Sequence, residues 1–148
     1  LEHMRQANID DVGGILKLIE PLEAEGILVR RGRERIEMEI NHFYVMEHDG
    51  RVIGCAALYP FPAEKTAEFA CLAIDPAYRG GGRGDKLFNY CQEQAKERGF
   101  TSLFCLTTRT EHWFLERGFT EQSVEKLPAE KQELYNFQRK SKVFRKSL

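Results

Sequence analysis

The sequence has almost no net charge, no long apolar run and no paired metal-ligand spacing, and each absence removes a class of function. Over 148 residues, 22 Lys and Arg stand against 23 Asp and Glu, a net charge of −1. No global field therefore draws the chain to nucleic acid or to an anionic membrane. No apolar stretch approaches the ~20 residues that cross a bilayer, and no signal-peptide pattern opens the chain. The four cysteines, Cys55, Cys71, Cys91 and Cys105, fall inside apolar patterns without Cys-x-x-Cys spacing. They read as buried, reduced thiols of a cytoplasmic protein rather than disulfides or zinc ligands. His42, His48 and His112 lack paired ligand spacing, so no metal is expected. Repeats, low-complexity tracts and linkers are absent too, and the length suits one domain with a sizeable core. The opening Leu1-Glu2-His3-Met4 reads as a cloning scar, which leaves residues 5–148 as the domain.

What is present is a glycine-rich turn, Arg79-Gly80-Gly81-Gly82-Arg83-Gly84, after the apolar run Phe69 to Ile74 and before a helical pattern, Lys86 to Arg98. A strand, a glycine turn and a helix start together make an anion site. Unpaired N–H groups and the positive end of the helix dipole converge there. Glycines remove the Cβ atoms that would hold a phosphate off the backbone, and two arginines add charge. Two better-known phosphate motifs fail: Gly84 is followed by Asp85-Lys86, not Gly-Lys-Ser/Thr, and Gly80, Gly82 and Gly84 do not complete G-x-G-x-x-G. The pattern that remains is Arg-x-x-Gly-x-Gly, which also serves as a tight strand-to-helix connection.

Around it the chain alternates between strand and helix patterns. A short strand at Arg5 to Ala7 leads to a helix capped by Asp10 or Asp11, with Val12, Ile15, Leu16 and Ile19 on one face. Pro21 is expected to break or kink that helix and Gly26 to end it. A basic loop, Arg30 to Arg33, precedes a helix at Glu34 to Asn41. Phe43 to Glu47 and Val52 to Tyr59 read as a hairpin closed at Asp49-Gly50, stopped by Pro60-Phe61-Pro62. Thr66 to Ile74 and Ser102 to Thr107 are buried strands. Glu111 to Arg117 is a short helix, followed by a strand entered at Phe119. A helical turn after Pro128 leads to a last strand at Tyr135 to Phe144.

With Leu72-Ala73-Ile74-Asp75-Pro76-Ala77-Tyr78 in front, the glycine turn resembles the acetyl-CoA-binding segment of the GNAT superfamily of N-acetyltransferases. The order β-α-α-β-β-β-α-β-α-β-β is similar to the layout of that superfamily. The fold class implied is α/β (α+β), a mixed central sheet splayed at the cofactor site with helices on both faces. The likeness narrows at Ile27 to Arg31, Ala56 to Pro60, Leu106 to Arg109, His112 to Phe114, Glu116 to Phe119 and Phe137 to Lys142. These segments resemble the acetyltransferase half of bacterial N-acetylglutamate synthases. That resemblance implies acetyl transfer from acetyl-CoA to the α-amino group of L-glutamate, the first step of arginine biosynthesis. In those proteins an amino-acid-kinase-like domain lies in front and carries arginine inhibition. Without it, reduced activity and no arginine inhibition are expected here, and the full-length parent is expected to be a homo-oligomer.

The resemblance also implies roles. Arg30 and Arg139 match the positions that meet the substrate carboxylates, since an unpaired buried charge is expensive. Ser141 adds a hydroxyl, and the backbones of Leu28 and Cys71 add main-chain contacts. Arg31 and Arg33 remain alternatives to Arg30. Glu68 is the candidate base, with Glu64 behind it. Thr107 is the hydroxyl for the leaving thiolate, with Thr108 as alternate. The backbones of Leu72 and Ile74 are assigned to the pantetheine, with an N–H near Leu72 for the oxyanion. Arg79, Gly80, Gly82, Arg83 and Gly84 are assigned to the pyrophosphate, and Phe114 packs against the pantetheine or only in the core. Two other readings stay open: acetylation of a different small amine, and a coenzyme A-binding regulatory domain with little turnover.

Overall fold

The computed structural model describes residues 1–135 and 140–148. Seven strands form one sheet: β1 (Glu2–Gln6), β2 (Phe43–His48), β3 (Arg51–Phe61), β4 (Thr66–Ile74), β5 (Ser102–Thr107), β6 (Thr120–Gln122) and β7 (Lys142–Ser147), in the spatial order β1-β2-β3-β4-β5-β7-β6. The helices are α1 (Val12–Ala24), α2 (Arg33–Met38), α3 (Arg83–Glu97), α4 (Glu111–Leu115) and α5 (Ala129–Leu134).

Two apolar layers sandwich the sheet. Helix α3 buries Leu87, Phe88, Cys91 and Ala95, a helical stripe, against Leu58, Phe69 and Leu103. Phe88 and Phe69 meet edge to face with centroids 5.2 Å apart. On the opposite face α1 packs Val12, Ile15, Leu16 and Ile19 with Phe43, Val45, Cys55 and Ala57. Burying each such side chain contributes about 1.5–3 kcal/mol, which makes these stripes the main source of helix stability.

All neighbouring strands are antiparallel except β4 and β5. That parallel pair is short: Thr66↔Ser102, Ala67↔Leu103 and Glu68↔Phe104. Beyond Glu68 the two strands diverge, so the rest of β4 turns its β5-facing edge to a gap, the expected splay. The Asp49-Gly50 turn joins β2 to β3 with both residues at positive φ, 49° and 80°, the backbone a two-residue hairpin of this twist requires.

Several boundaries differ from the sequence reading. Asp11 holds the N-cap position of α1 but makes no side-chain cap bond to it. The capping box is one turn earlier, where Asn8 caps the 3-10 turn Ile9–Asp11 by accepting from the Asp10 N–H while the Asp11 side chain accepts from the Asn8 N–H. Pro21 lies inside α1 without ending it. The stop is a Schellman motif, in which Gly26 at φ 77° sends its N–H to Glu23 and the Ile27 N–H reaches Leu22. Strand β3 continues through Pro60 to Phe61, because β2 has already ended opposite Ala57 and no partner needs the missing N–H. The first strand includes Glu2 to Met4, and the last described strand starts at Lys142 rather than Tyr135. Arg139 lies outside the described residues.

Candidate active site

The bulge in β4 decides what faces the gap. Ala57 pairs with Ala70 and Cys55 with Ala73, so Cys71 and Leu72 together oppose Ala56. Cys71 absorbs the extra residue at φ 58°, a left-handed backbone rarely adopted outside glycine. Strict alternation would put Cys71 on the face of Phe69 and Leu72 on the face of Ala70. With the bulge, Ala70, Cys71 and Ala73 all join the α1 face, while Phe69, Leu72 and Ile74 join the α3 face. A pocket of about 190 Å³ runs through the sheet here, bordered by Leu28, Cys71, Leu72, Thr107, Thr110 and Phe114. It adjoins a larger cleft of about 950 Å³ whose walls include Lys17, Leu22, Leu72, Ile74, Thr110 and Trp113.

The anion cradle closes the far end. Gly80 and Gly82 take φ 85° and 72°, values open to glycine without strain. Gly82 sits at the N-cap of α3, and no side chain caps that first turn. Arg79, Gly80, Gly82 and Gly84 line a recess of about 220 Å³. Fifteen residues of helix aim their positive end at it. The uncapped first turn of α3, its dipole and the Arg79 side chain thus border one recess, a setting that suits an anion. Arg83 spends its side chain elsewhere: Nε and Nη2 donate to Glu2 Oε2 at 3.0 and 2.6 Å, and Nη1 donates to the Tyr78 carbonyl. Trp113, which borders the cradle and both clefts, is braced by the Arg117 guanidinium 3.8 Å from its ring, itself paired with Asp85.

At the closed end of the gap, Glu68 is 5% exposed and lies opposite Tyr59 in register. Its Oε1 is 2.8 Å from Lys131 Nζ of α5. Tyr59 donates to Glu39 at 2.8 Å, and burial pushes its hydroxyl well above the ordinary tyrosine range. Arg31 is the arginine of the basic loop that the fold carries inward: it is buried, with its guanidinium 5.7 Å from the Tyr59 ring centroid, while its Nε has no partner. Arg30 is exposed and borders a separate cleft with Arg33, Glu20 and Glu23. Glu64, the fallback base, is exposed and accepts from the Ala129 N–H at 3.4 Å.

The remaining expected positions sort as follows. The Leu28 N–H is engaged with the Leu22 carbonyl, and Leu28 borders the pocket. Burial raises the Cys71 thiol to about 11, so it is protonated and a poor nucleophile near neutrality. Thr107 is buried, and its Oγ1 accepts from the N–H groups of Arg109 and Thr110. Thr108 is exposed. Phe114 packs in the core against Phe69 and Phe119 and also borders the pocket. Ser141 is buried just before β7, and its carbonyl accepts from the Tyr135 hydroxyl. Among the described residues no group of three His, Cys, Asp or Glu could hold a metal, and no helix is long and apolar enough to cross a membrane. Tyr59, Trp113 and Lys131 were not singled out by sequence. Tyr59 was legible from the hairpin register, whereas Lys131 depends on how α5 packs.

Known proteins resemble this chain in sequence and in fold. The chain is 56% identical over 147 residues to the amino-acid acetyltransferase of Pseudomonas paraeruginosa, which covers 99% of this chain and 34% of that protein. It thus spans about a third of the length of the curated relatives it matches. N-acetylglutamate synthase from Neisseria gonorrhoeae, solved with coenzyme A and N-acetyl-glutamate, matches all of this chain and 35% of its own, with 40% identity and a TM-score of 0.95. A Mycobacterium tuberculosis protein solved with CoA and NLQ matches 99% of both chains at 25% identity and a TM-score of 0.82. Residues 15–119 match the acetyltransferase (GNAT) family, and the chain belongs to it.

Proposed function

We propose that the chain transfers an acetyl group from acetyl-CoA to the α-amino group of L-glutamate. The observation that carries this reading is the splay. Glu68 stands at the last paired position of β4 and β5, a pocket lies just beyond it where the strands part, and Trp113 borders both that pocket and the glycine recess. The match to a synthase solved with coenzyme A and N-acetyl-glutamate supports the substrate choice. The match to a chain of equal length solved with CoA supports cofactor binding by a domain of this size. Four free, buried thiols fit a cytoplasmic setting.

Acetyl-CoA supplies the acetyl group as a thioester. Arg79 and the N–H groups at Gly80, Gly82, Arg83 and Gly84 hold its pyrophosphate. The exposed edge of β4 at Leu72 and Ile74 takes its amides as an added strand would. Glutamate enters as an ammonium dicarboxylate. Arg139 and a cation of the basic loop, Arg30 or its buried neighbour Arg31, with Ser141 and the backbones of Leu28 and Cys71, meet the carboxylates. Two protons leave the nitrogen on the way to the amide; Glu68 takes the first, directly or through one water. An N–H near Leu72 meets the developing oxyanion, and a hydroxyl at the end of β5 meets the leaving sulfur. Holding amine and thioester together supplies much of the rate.

The test is thiol release from acetyl-CoA against a panel of amino acids and polyamines, with Arg139→Ala beside the parent. Glutamate-selective turnover lost in the variant is expected. Turnover on another amine would sink the glutamate reading and keep the acetyltransferase. Binding of CoA without turnover on any amine would favour a regulatory module.

A further inference from the structure

We propose that Thr110 is the hydroxyl that meets the leaving sulfur, and that the buried Thr107 stands behind it as a positioning residue. This rests on the reading that a hydroxyl at the end of β5 serves the leaving group; it changes which residue does so.

A threonine hydroxyl has one proton to give and two lone pairs to fill. Thr107 Oγ1 accepts from the Thr110 N–H at 2.9 Å and from the Arg109 N–H at 3.3 Å. Its lone pairs are taken. Thr110 Oγ1 lies 2.6 Å away, within O–H···O distance, and either hydroxyl satisfies the geometry of that contact. With both lone pairs of Thr107 engaged, the direction is set: Thr107 donates and Thr110 accepts. The proton expected of Thr107 is therefore spent inside the turn, and the proton of Thr110 is the one left over.

Thr110 is also the better placed of the two. It is exposed and borders both the pocket through the sheet and the larger cleft, beside Leu72 and Trp113. Thr107 is 6% exposed. Thr110 occupies the N-cap position of α4, yet its side chain makes no cap bond there. A threonine at a helix start ordinarily spends its oxygen on the first-turn N–H groups. Here the helix does not use it.

As the C–S bond breaks, its electron pair goes to sulfur, and the Thr110 O–H donates a hydrogen bond to the thiolate. Thr107 donates to Thr110 in turn, which polarises the second O–H. Neither threonine gives up its proton, because an alcohol is a far weaker acid than a thiol. The proton that ends on sulfur balances one of the two shed by the ammonium, and the other goes to solvent.

The experiment compares Thr110→Val, Thr110→Ser and Thr107→Val by thiol release, with CoA binding followed through Trp113 fluorescence. Thr110→Val is expected to lower kcat about 10- to 100-fold. KM for both substrates and the CoA affinity stay within about twofold, a split that a merely structural role does not give. Thr110→Ser restores kcat to within about threefold, and Thr107→Val loses less than Thr110→Val. Should valine disturb the turn and spoil CoA binding, Thr110→Ala makes the same comparison without a β-branch. A silent Thr110→Val beside a damaging Thr107→Val would overturn the proposal and leave the hydroxyl reading intact. Silence in both would remove the hydroxyl from the mechanism, and this proposal with it.

Discussion

Lys131 Nζ lies 2.8 Å from Glu68 Oε1, with side chains 16% and 6% exposed, so the candidate base has a resident counter-ion reaching in from α5. Removing one partner of a buried pair leaves the other charge uncompensated, which typically costs about 3–5 kcal/mol. Lys131→Met is accordingly expected to lower unfolding stability by about 3 kcal/mol in denaturant. Adding Glu68→Gln should recover most of that loss, because no unpaired charge then remains. Glu68→Gln alone should cost at least about 100-fold in kcat while CoA still binds. Equal activity in Glu68→Gln and the parent would exclude Glu68 as the base.

Gly82 carries two duties at once, a left-handed backbone at φ 72° and the start of α3. Space is not the obstacle to a side chain there, since nothing lies within 4 Å of an added Cβ. Conformation is: an L-residue held in that region costs about 1–2 kcal/mol. Gly82→Ala should therefore destabilise by about that amount and weaken CoA binding about tenfold, because the N–H groups of the first turn move off their targets. Titration of Trp113 fluorescence with CoA checks the second effect. A fully stable variant with parental affinity would show that the cradle does not depend on this backbone.

The sequence made the periodic parts legible and left the packed ones obscure. The helix stripe Leu87-Phe88-Cys91-Ala95 and the Asp49-Gly50 turn follow from local chemistry, and both stand where periodicity and turn signals put them. The splay at Glu68 follows from the order of elements. The bulge does not: nothing in Ala70-Cys71-Leu72 announces a left-handed cysteine, and one extra residue decides which face each later side chain takes. The basic loop is similar. Arg30 to Arg33 read as interchangeable in sequence, yet the Schellman stop at Gly26 sets a path that buries Arg31 and leaves Arg30 exposed. Lys131 was invisible because short helices such as α5 are placed by tertiary contacts, not by their own pattern.

Burial raises the Cys71 thiol from 9.0 to about 11, and it raises Cys55, Cys91 and Cys105 as well. The sign is fixed by linkage: the unfolded chain loses these protons at lower pH than the folded one. Stability from the buried thiols is fully present below pH about 9 and drains away as pH climbs toward 11 and beyond. Thermal melts should show this alkaline decline, and Cys71→Ala should flatten part of it. Iodoacetamide should label the native protein slowly at neutral pH, at a rate limited by opening. Rapid labelling of Cys71 there would contradict the assignment of a protonated, enclosed thiol.

The two arginines of the glycine turn should separate by their dependence on Glu2. Arg83 grips Glu2 Oε2 through Nε and Nη2 and holds that carboxyl below its usual range, tying β1 to the turn. Arg79 is exposed beside the recess. Arg79→Ala should weaken CoA binding about tenfold at low salt, and the deficit should shrink as salt screens the lost charge. Arg83→Ala should weaken binding less, about threefold, by loosening the turn, and Glu2→Gln should reproduce that effect since it breaks the same contact. If Arg83 instead reaches the pyrophosphate, Glu2→Gln would release the guanidinium and leave binding equal or tighter. Measuring CoA affinity for the three variants at two salt concentrations tells these roles apart.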